Sequence, residues 1–589
     1  MSEAVRYRVS MPRPHSHLFE VEARFPAGAD TLRAVLPVWT PGSYLVREYA
    51  RHLQDVTAVD AAGKPVPCER KDKRTFVIQA NGEPITLRYR VYANELTVRT
   101  SHLDGSHGYF NGATVFLYSE ELRHRPHRVR VDAPEGWTPF AALDRDGEDF
   151  VAHDYDELLD TPFEVGPHQP LKFMAAGVPH EVIIWGDPKP DGQRITEELR
   201  KICETEAALF GGLPLKRYLF LVYLTDKGRG GLEHLASTAL LYPRFALNNP
   251  KGWEDFLTLA AHEYFHLWNV KRIKPRALVP FDYSQENYTR LLWAFEGTTS
   301  YYDNLLVRRA GLMSGARYLT RLGESLTALH GTPGRKVQTL LEASFVSWIK
   351  HYRPDENSAN SAISYYLKGE LVAALLDLEI RRLTSDRASL DDVMRLLWTR
   401  YGDGSGVPED GVEAAAVEIA GEGLRPFFDR ALRSTEELDY SPLAHVGLEV
   451  RFRIKESPQD KGGGPARNTD AKAGGYLGIL PKGSASIGAV LEGSPAMEAG
   501  LYPDDDLVAL DGFKVDANSL LSRCEDRKPG DSCQITVFRR DRLLEVTVRL
   551  GQKPADAVYL ARVDQPAAAQ KAAYQAWLGE RWDEPGASS

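Results

Sequence analysis

The period of the hydrophobic and polar positions changes along this chain. Up to about residue 165 they alternate at period two. Leu18-Phe19-Glu20-Val21-Glu22-Ala23-Arg24-Phe25, Thr86-Leu87-Arg88-Tyr89-Arg90-Val91-Tyr92 and Val129-Arg130-Val131 each turn every second residue to one face, which predicts strands with one buried side. Asp60-Ala61-Ala62-Gly63-Lys64 and Asn81-Gly82 supply turns between them, so an antiparallel sandwich or saddle is expected. Trp39-Thr40-Pro41-Gly42-Ser43-Tyr44 breaks the alternation and predicts a long, shaped loop. His102, His107, His124 and His127 lie in the same region. Their spacings fit no closed metal site and arginines crowd the last two, so all four are expected in solvent.

From about 166 the texture shifts. The stretch 181–186 reads as a strand and 193–209 as a helix, and the continuous apolar run Tyr218-Leu219-Phe220-Leu221-Val222-Tyr223-Leu224 reads as a central strand. After Gly228-Arg229-Gly230-Gly231-Leu232-Glu233-His234 and a further apolar stretch, 253–432 is almost entirely helical, with Gly and Pro punctuation near 275–280, 331–334 and 402–408. A sheet followed by helices is an α+β arrangement. Residues 457–475 carry few apolar groups and predict a flexible linker or loop. A small domain follows to about 552, and then a tail whose Tyr574, Trp577, Leu578 and Trp582 predict a short helix docking back on the body.

Composition narrows the class. At 589 residues, with roughly 150 per domain, three or four domains are expected. The chain is 43% hydrophobic and 26% charged with a net charge of −10, which argues against nucleic acid or an anionic membrane as the main partner. Cys68, Cys203, Cys524 and Cys533 show no C-x-x-C spacing and read as free thiols, with a meeting of Cys524 and Cys533 across adjacent strands left open. The first residues hold no apolar leader and no stretch of 18 apolar residues occurs, so a cytoplasmic protein is expected, or a periplasmic one if a leader has been removed.

Candidate chemistry sits at Ala260-Ala261-His262-Glu263-Tyr264-Phe265-His266. Two histidines four apart fall on one face of a helix, where both imidazoles reach one zinc ion, and Glu263 beside them is placed as a general base. Phe256, Leu257, Leu259, Ala260, Ala261, Phe265 and Leu267 make that helix apolar nearly all round, so it is expected to be buried and its polar groups to need partners. A catalytic zinc takes a third protein ligand. Glu296, an acid in the apolar stretch Leu291-Leu292-Trp293-Ala294-Phe295-Glu296-Gly297, is the candidate; the alternative is a buried carboxylate paired with Arg or Lys. Lys271, Arg272 and Lys274 either meet a substrate carboxylate or offset a helix C-terminal dipole.

Glu296-Gly297-Thr298-Thr299-Ser300-Tyr301 after H-E-x-x-H is similar to the gluzincin metallopeptidases of the aminopeptidase N class. Gly230-Gly231-Leu232-Glu233-His234 resembles that class's Gly-Ala-Met-Glu-Asn strand, whose Glu holds the substrate's free amino group, with Leu232 for Met and His234 for Asn. Tyr366-Leu367-Lys368-Gly369 resembles its Tyr-x-Lys-Gly segment, whose Tyr stabilises the oxyanion; on the residues alone Tyr365 competes for that role. That class spaces its histidine motif and Glu more tightly, so this chain carries an insertion. His266-Leu267-Trp268-Asn269-Val270-Lys271-Arg272-Ile273-Lys274-Pro275 and the loop at 39–44 resemble the glycyl aminopeptidase family. The resemblance implies an N-terminal β-domain (1–165), a thermolysin-like zinc peptidase domain (166–440), a PDZ domain (441–552) and a tail (553–589).

Within the PDZ-like region, Gly475-Tyr476-Leu477-Gly478-Ile479 resembles a carboxylate-binding loop and Gly493-Ser494-Pro495-Ala496 the start of a PDZ helix. A peptide C-terminus is the implied ligand. For the whole chain, the resemblance implies one zinc ion on His262, His266 and Glu296, with Glu263 as base, Tyr366 as oxyanion donor and Gly230, Gly231, Leu232 and Glu233 lining the substrate. The activity implied is removal of N-terminal residues, Gly and then Ala, from peptides with a free N-terminus. A PDZ-assisted endopeptidase and a non-catalytic adaptor on a peptidase scaffold are the rival readings.

Overall fold

The computed structural model describes residues 3–28, 30–467 and 474–583; residues 468–473 of the expected linker lie outside the described residues. The chain divides into two compact units, one of residues 1–288 with 397–408 and the other of 289–396 with 409–589. Among the described residues, no helix is long and apolar enough to cross a membrane.

The first unit opens as β-structure. An eight-stranded sheet runs in the order Asp144–Asp146, Asp149–Ala152, His127–Asp132, Val5–Ser10, Leu18–Phe25, Ile85–Tyr92, Leu53–Val59 and Pro65–Val66. Val5–Ser10 and His127–Asp132 are parallel. Leu18–Phe25 and Ile85–Tyr92 are antiparallel, with Phe19 opposite Val91, Val21 opposite Tyr89 and Ala23 opposite Leu87. That register stacks the apolar half of both alternating sequences on one face, and a slip of one residue would turn it to water. The two smaller sheets of this region carry Thr31–Val35 with Thr75–Gln79 and Cys68–Arg70, and Thr138–Phe140 with Phe163–Gly166, Gly108–Phe110 and Ser101–Leu103.

Two of the four histidines expected in solvent are buried instead. His107 and His127 have 0% and 1% of their surface exposed, and His102 is half-buried; His124 alone of the four is exposed. His127 Nδ1–H donates to the Arg125 carbonyl at 2.7 Å, and burial pushes its pKa down to about 4. Local spacing does not report which face a lone histidine takes.

A five-stranded sheet follows, ordered Leu171–Ala175, Val178–Trp185, Tyr218–Thr225, Ser237–Pro243 and Gly230–Glu233. Its middle three strands are parallel, and Gly230–Glu233 closes one edge antiparallel. Tyr218–Thr225 is buried on both faces up to its last residue, which is why its sequence is a continuous apolar run rather than an alternation.

The second unit carries the helices Thr298–Arg309, Gly315–His330 and the long, mostly buried Tyr365–Thr384. Its later part holds the strands Ile479–Lys482, Ser486–Val490, Asp506–Leu510, Ser532–Arg539 and Arg542–Arg549 in one sheet, with helices Pro495–Ala499 and Ala517–Glu525. Cys524 lies on that last helix and Cys533 on a strand; both thiols are buried and free, so they meet as helix and strand rather than as adjacent strands. The first part of the expected linker is a packed loop. Asp460 pairs with Arg453, and Gly463 N–H donates to the Val558 carbonyl at 2.8 Å. The tail forms the helix Ala568–Leu578, with Tyr574, Trp577 and Leu578 buried and Trp577 Nε1–H donating to the Tyr301 hydroxyl at 2.9 Å.

Candidate active site

The helix Pro250–Phe265 begins at Asn249, whose side chain accepts from the Gly252 N–H at 2.8 Å, with Pro250 in its first turn. It is buried along most of its length, as its all-round apolar sequence predicts. His262 and His266 share one face, with ring centroids 4.7 Å apart and planes at 86°. His266 Nδ1–H donates to the Asn269 carbonyl at 2.7 Å, which leaves the Nε2 lone pair available to a metal. The turn that brings Asn269 back carries Val270 at φ +141°, a region that β-branched residues rarely enter. Lys271 N–H bonded to the His266 carbonyl at 3.0 Å and Ile273 N–H bonded to the Trp268 carbonyl at 2.8 Å hold it there.

The edge strand Gly230–Glu233 lies beside this helix. A Cβ at Gly231 would fall 2.0 Å from Glu263 Oε1, so only glycine lets that carboxylate rest against the strand. Arg99 donates to the Gly231 carbonyl at 3.2 Å and steadies it. Glu233 is 3% exposed, and its Oε1 has no hydrogen-bond partner among the described residues. Donor atoms of Glu233, Glu263 and His266 all lie within 4.8 Å of one another. The side chain of Leu232 points the other way, into an apolar cluster with Ile183, Leu219 and Leu221, so only its backbone lines the strand.

Gly42 closes this corner from the β-region. At φ +86° it sits against the Glu233 carboxylate, where a Cβ would meet both oxygens at 2.6 Å. Its loop is locked: Trp39, Thr40, Ser43 and Tyr44 are buried, and Trp39 Nε1–H donates to the Asp282 carbonyl at 2.8 Å. Arg99 and Gly42 are neighbours of the site that spacing did not single out for it.

His234 is 1% exposed, and its ring nitrogens have no hydrogen-bond partner among the described residues; Nδ1 is 3.6 Å from Asp160 Oδ1. Burial by itself would raise the Asp160 carboxyl, but the Lys271 ammonium and His234 hold it down at about 2. Lys271 therefore serves Asp160. Arg272 donates to the carbonyls of Leu267 at 2.8 Å, just past the end of the His262 helix, and of Leu235 at 3.1 Å. Lys274 lies over the Phe281 ring, and burial pushes its pKa down to about 8.

In the second unit, Glu296 is 2% exposed on the π-helical turn Trp293–Gly297, a rare geometry that recurs at functional positions. A Cβ on Gly297 would lie 2.4 Å from Gly369 Cα, so this turn and the helix Tyr365–Thr384 touch backbone to backbone. That contact explains both motif glycines and fixes Glu296 relative to the two tyrosines. Tyr365 is fully buried and its hydroxyl donates to Tyr352 at 3.0 Å; Tyr366 keeps some exposure and shares the same Tyr352 hydroxyl at 3.0 Å. The His351 ring faces both, at 5.0 and 5.6 Å between centroids. Burial and the Glu296 carboxylate push the Tyr366 hydroxyl well above its usual range. His351 and Tyr352 sit in a stretch without periodicity, which left no signal for them.

Tyr476 pairs with Gly551, the Leu477 carbonyl accepts from Ala496 N–H and the Gly478 carbonyl from Leu491 N–H, both at 3.0 Å. Tyr476, Leu477, Gly478, Ile479, Leu521 and Cys524 line a cavity of about 270 Å³ beside the strand Ile479–Lys482.

Residues 6–167 match the peptidase M61 N-terminal domain, and residues 255–372 match the M61 glycyl aminopeptidase domain. The crystal structure of an aminopeptidase N family protein from Idiomarina loihiensis superposes with a TM-score of 0.92 at 32% identity, over 98% of this chain and 100% of that one. An M1 zinc metallopeptidase variant from Deinococcus radiodurans, solved with a Tyr-Ser-Ala substrate, gives a TM-score of 0.47 at 14% identity over 75% of this chain and 95% of that one. A probable periplasmic serine endoprotease DegP-like protein of Hahella chejuensis is 34% identical over 107 residues, 15% of this chain and 23% of that protein's length.

Proposed function

The chain belongs to the M61 glycyl aminopeptidase family, and from that premise we propose that it is a zinc-dependent aminopeptidase removing N-terminal Gly, and next Ala, from peptides. Glu233 is the observation that carries the reading. A buried carboxylate oxygen without a hydrogen-bond partner costs several kcal/mol; the ammonium of a free peptide N-terminus offsets that cost, and an internal peptide segment has none to offer. The reaction is therefore that of an exopeptidase.

His262, His266 and Glu296 would hold the zinc. The donor set fits that metal: two imidazoles and a carboxylate, with His266 already fixed in the tautomer that presents Nε2. When bound, the ion would supply Lewis acidity, lowering the pKa of a water towards ~7 and polarising the scissile carbonyl. Glu263, resting against Gly231, accepts the proton of the attacking water and returns it to the leaving amine. Glu233 anchors the ammonium and so sets the first carbonyl in register with Glu263. Tyr366, the member of the tyrosine pair that keeps exposed surface, donates its hydroxyl proton in a hydrogen bond to the oxyanion.

Glycyl and alanyl anilides, assayed against N-acylated counterparts with and without chelator, test the reading. Cleavage confined to the unblocked substrates and abolished by chelation is expected; equal cleavage of blocked substrates, or indifference to chelator, would sink it. The cavity at Tyr476, Leu477, Gly478 and Ile479 supports a second, separable role as a PDZ domain. A peptide adds as a strand to the open edge Ile479–Lys482 and places its C-terminal carboxylate at the loop. A fluorescent peptide should bind there with a free C-terminus and not as its amide.

A further inference from the structure

We propose that His102, Asp104 and His107 form a second metal site, for a divalent ion of the zinc class, built into the β-region and separate from the His262 helix. The three residues bracket a tight turn between the strands Ser101–Leu103 and Gly108–Phe110. Asp104 shapes the turn, its Oδ1 accepting from the Ser106 N–H at 2.7 Å and the His107 N–H at 3.2 Å. The turn brings His102 Nδ1 to 3.0 Å from His107 Nε2, with a carboxylate oxygen of Asp104 within 4.8 Å of both. Two nitrogens bound at ~2.0–2.1 Å to a tetrahedral zinc stand roughly 3.3 Å apart, so the pair needs only a small opening to receive the ion.

The surroundings are those of a metal ligand rather than of a stray histidine. His107 Nδ1–H donates to Glu164 Oε1 at 3.0 Å, and Glu164, 1% exposed, also accepts from His168 Nε2 at 2.6 Å and the Tyr223 hydroxyl at 3.1 Å. A buried carboxylate held by three donors fixes the His107 tautomer and turns its Nε2 lone pair towards His102. Metal-binding histidines are commonly oriented by such a carboxylate. The indole of Trp185 stacks on the His107 ring at 4.2 Å and 20°, and its Nε1–H donates to Ser106 Oγ at 3.1 Å. Two imidazoles and one carboxylate select Zn²⁺, Co²⁺, Ni²⁺ or Cu²⁺ over Mg²⁺ and Ca²⁺, which prefer all-oxygen shells.

Equilibrium dialysis of the full chain against Zn²⁺, followed by elemental analysis, tests the proposal. Expected are two ions per wild-type chain, one in His102→Ala, one in His262→Ala and none in the double variant, with glycyl-anilide turnover of His102→Ala within ~2-fold of wild type. Equal metal content in wild type and His102→Ala would overturn it, leaving His102 and His107 as a plain hydrogen-bonded pair. One ion in wild type that His102→Ala abolishes and His262→Ala retains would instead keep this site and remove the catalytic one. As a readout independent of counting, Co²⁺ should quench Trp185 fluorescence in His262→Ala. The quench should vanish on adding either His102→Ala or Trp185→Phe, and a quench indifferent to His102→Ala counts against the site. Matching circular-dichroism melts of His102→Ala and wild type exclude unfolding as the cause.

Discussion

Gly42→Ala isolates the link between the β-region and the proposed ammonium anchor. The added Cβ would lie 2.6 Å from both Glu233 oxygens where ordinary contact begins at 3.4 Å, an overlap of about 0.8 Å, and Gly42 already stands at φ +86°. The left-handed backbone costs an alanine ~1–2 kcal/mol, which lowers stability and should appear as a modest loss in the thermal melt. The overlap acts differently, because it displaces Glu233. A misplacement of ~1 Å in a positioning group costs on the order of 10²-fold in rate, so kcat/KM on a glycyl anilide is expected to fall ~10²-fold, about 2.7 kcal/mol of transition-state stabilisation. The assay is a double-mutant cycle with Glu233→Ala. Once the carboxylate is gone the methyl has nothing to push, so Gly42→Ala should cost less than ~3-fold in that background. Additive losses would refute the coupling, as would a Gly42→Ala enzyme of full activity.

Glu263→Gln should keep its full zinc content by elemental analysis and lose ~10²–10⁴-fold in kcat; retained turnover would remove Glu263 as the base. Tyr366→Phe should lower kcat by ~10²–10³-fold, while Tyr365→Phe, whose hydroxyl is buried against Tyr352, should stay within ~10-fold; the reverse order would exchange their roles. Asp160 is held at about 2, below its unfolded value of ~3.9. Its contribution is therefore fully present above pH ~4 and fades as pH falls towards 2, a loss on the order of 2 kcal/mol. Asp160→Asn should be destabilised at neutral pH and lack this acid limb, so the gap between the two proteins should halve near pH ~3 and close only as pH falls to ~2; a constant gap would show that the carboxylate is not the titrating group.

What could be read directly from the chain was whatever a local period encodes. Alternation at 18–25 and 86–92 specified strands with one buried face. The unbroken apolar run at 218–224 specified a strand buried on both, and the all-round apolar pattern at 253–265 specified a mostly buried helix with His262 and His266 on one face. Each depends only on which neighbours along the chain share a face. The motif glycines were visible, but not what they admit: Gly231 makes room for the Glu263 carboxylate, and Gly297 for the backbone of Gly369. The approach of Gly42 to Glu233, the Tyr352 bridge between two tyrosine hydroxyls and the Glu164 carboxylate behind His107 had no signature at all. His107 and His127, expected in solvent, were misjudged for the same reason. Such contacts join residues from different elements, and a period of two or 3.6 says that a side chain faces inward without saying whom it meets. Only closing the sheets and crossing the helices decides that, because partner choice is set by packing and by the need to satisfy buried polar groups.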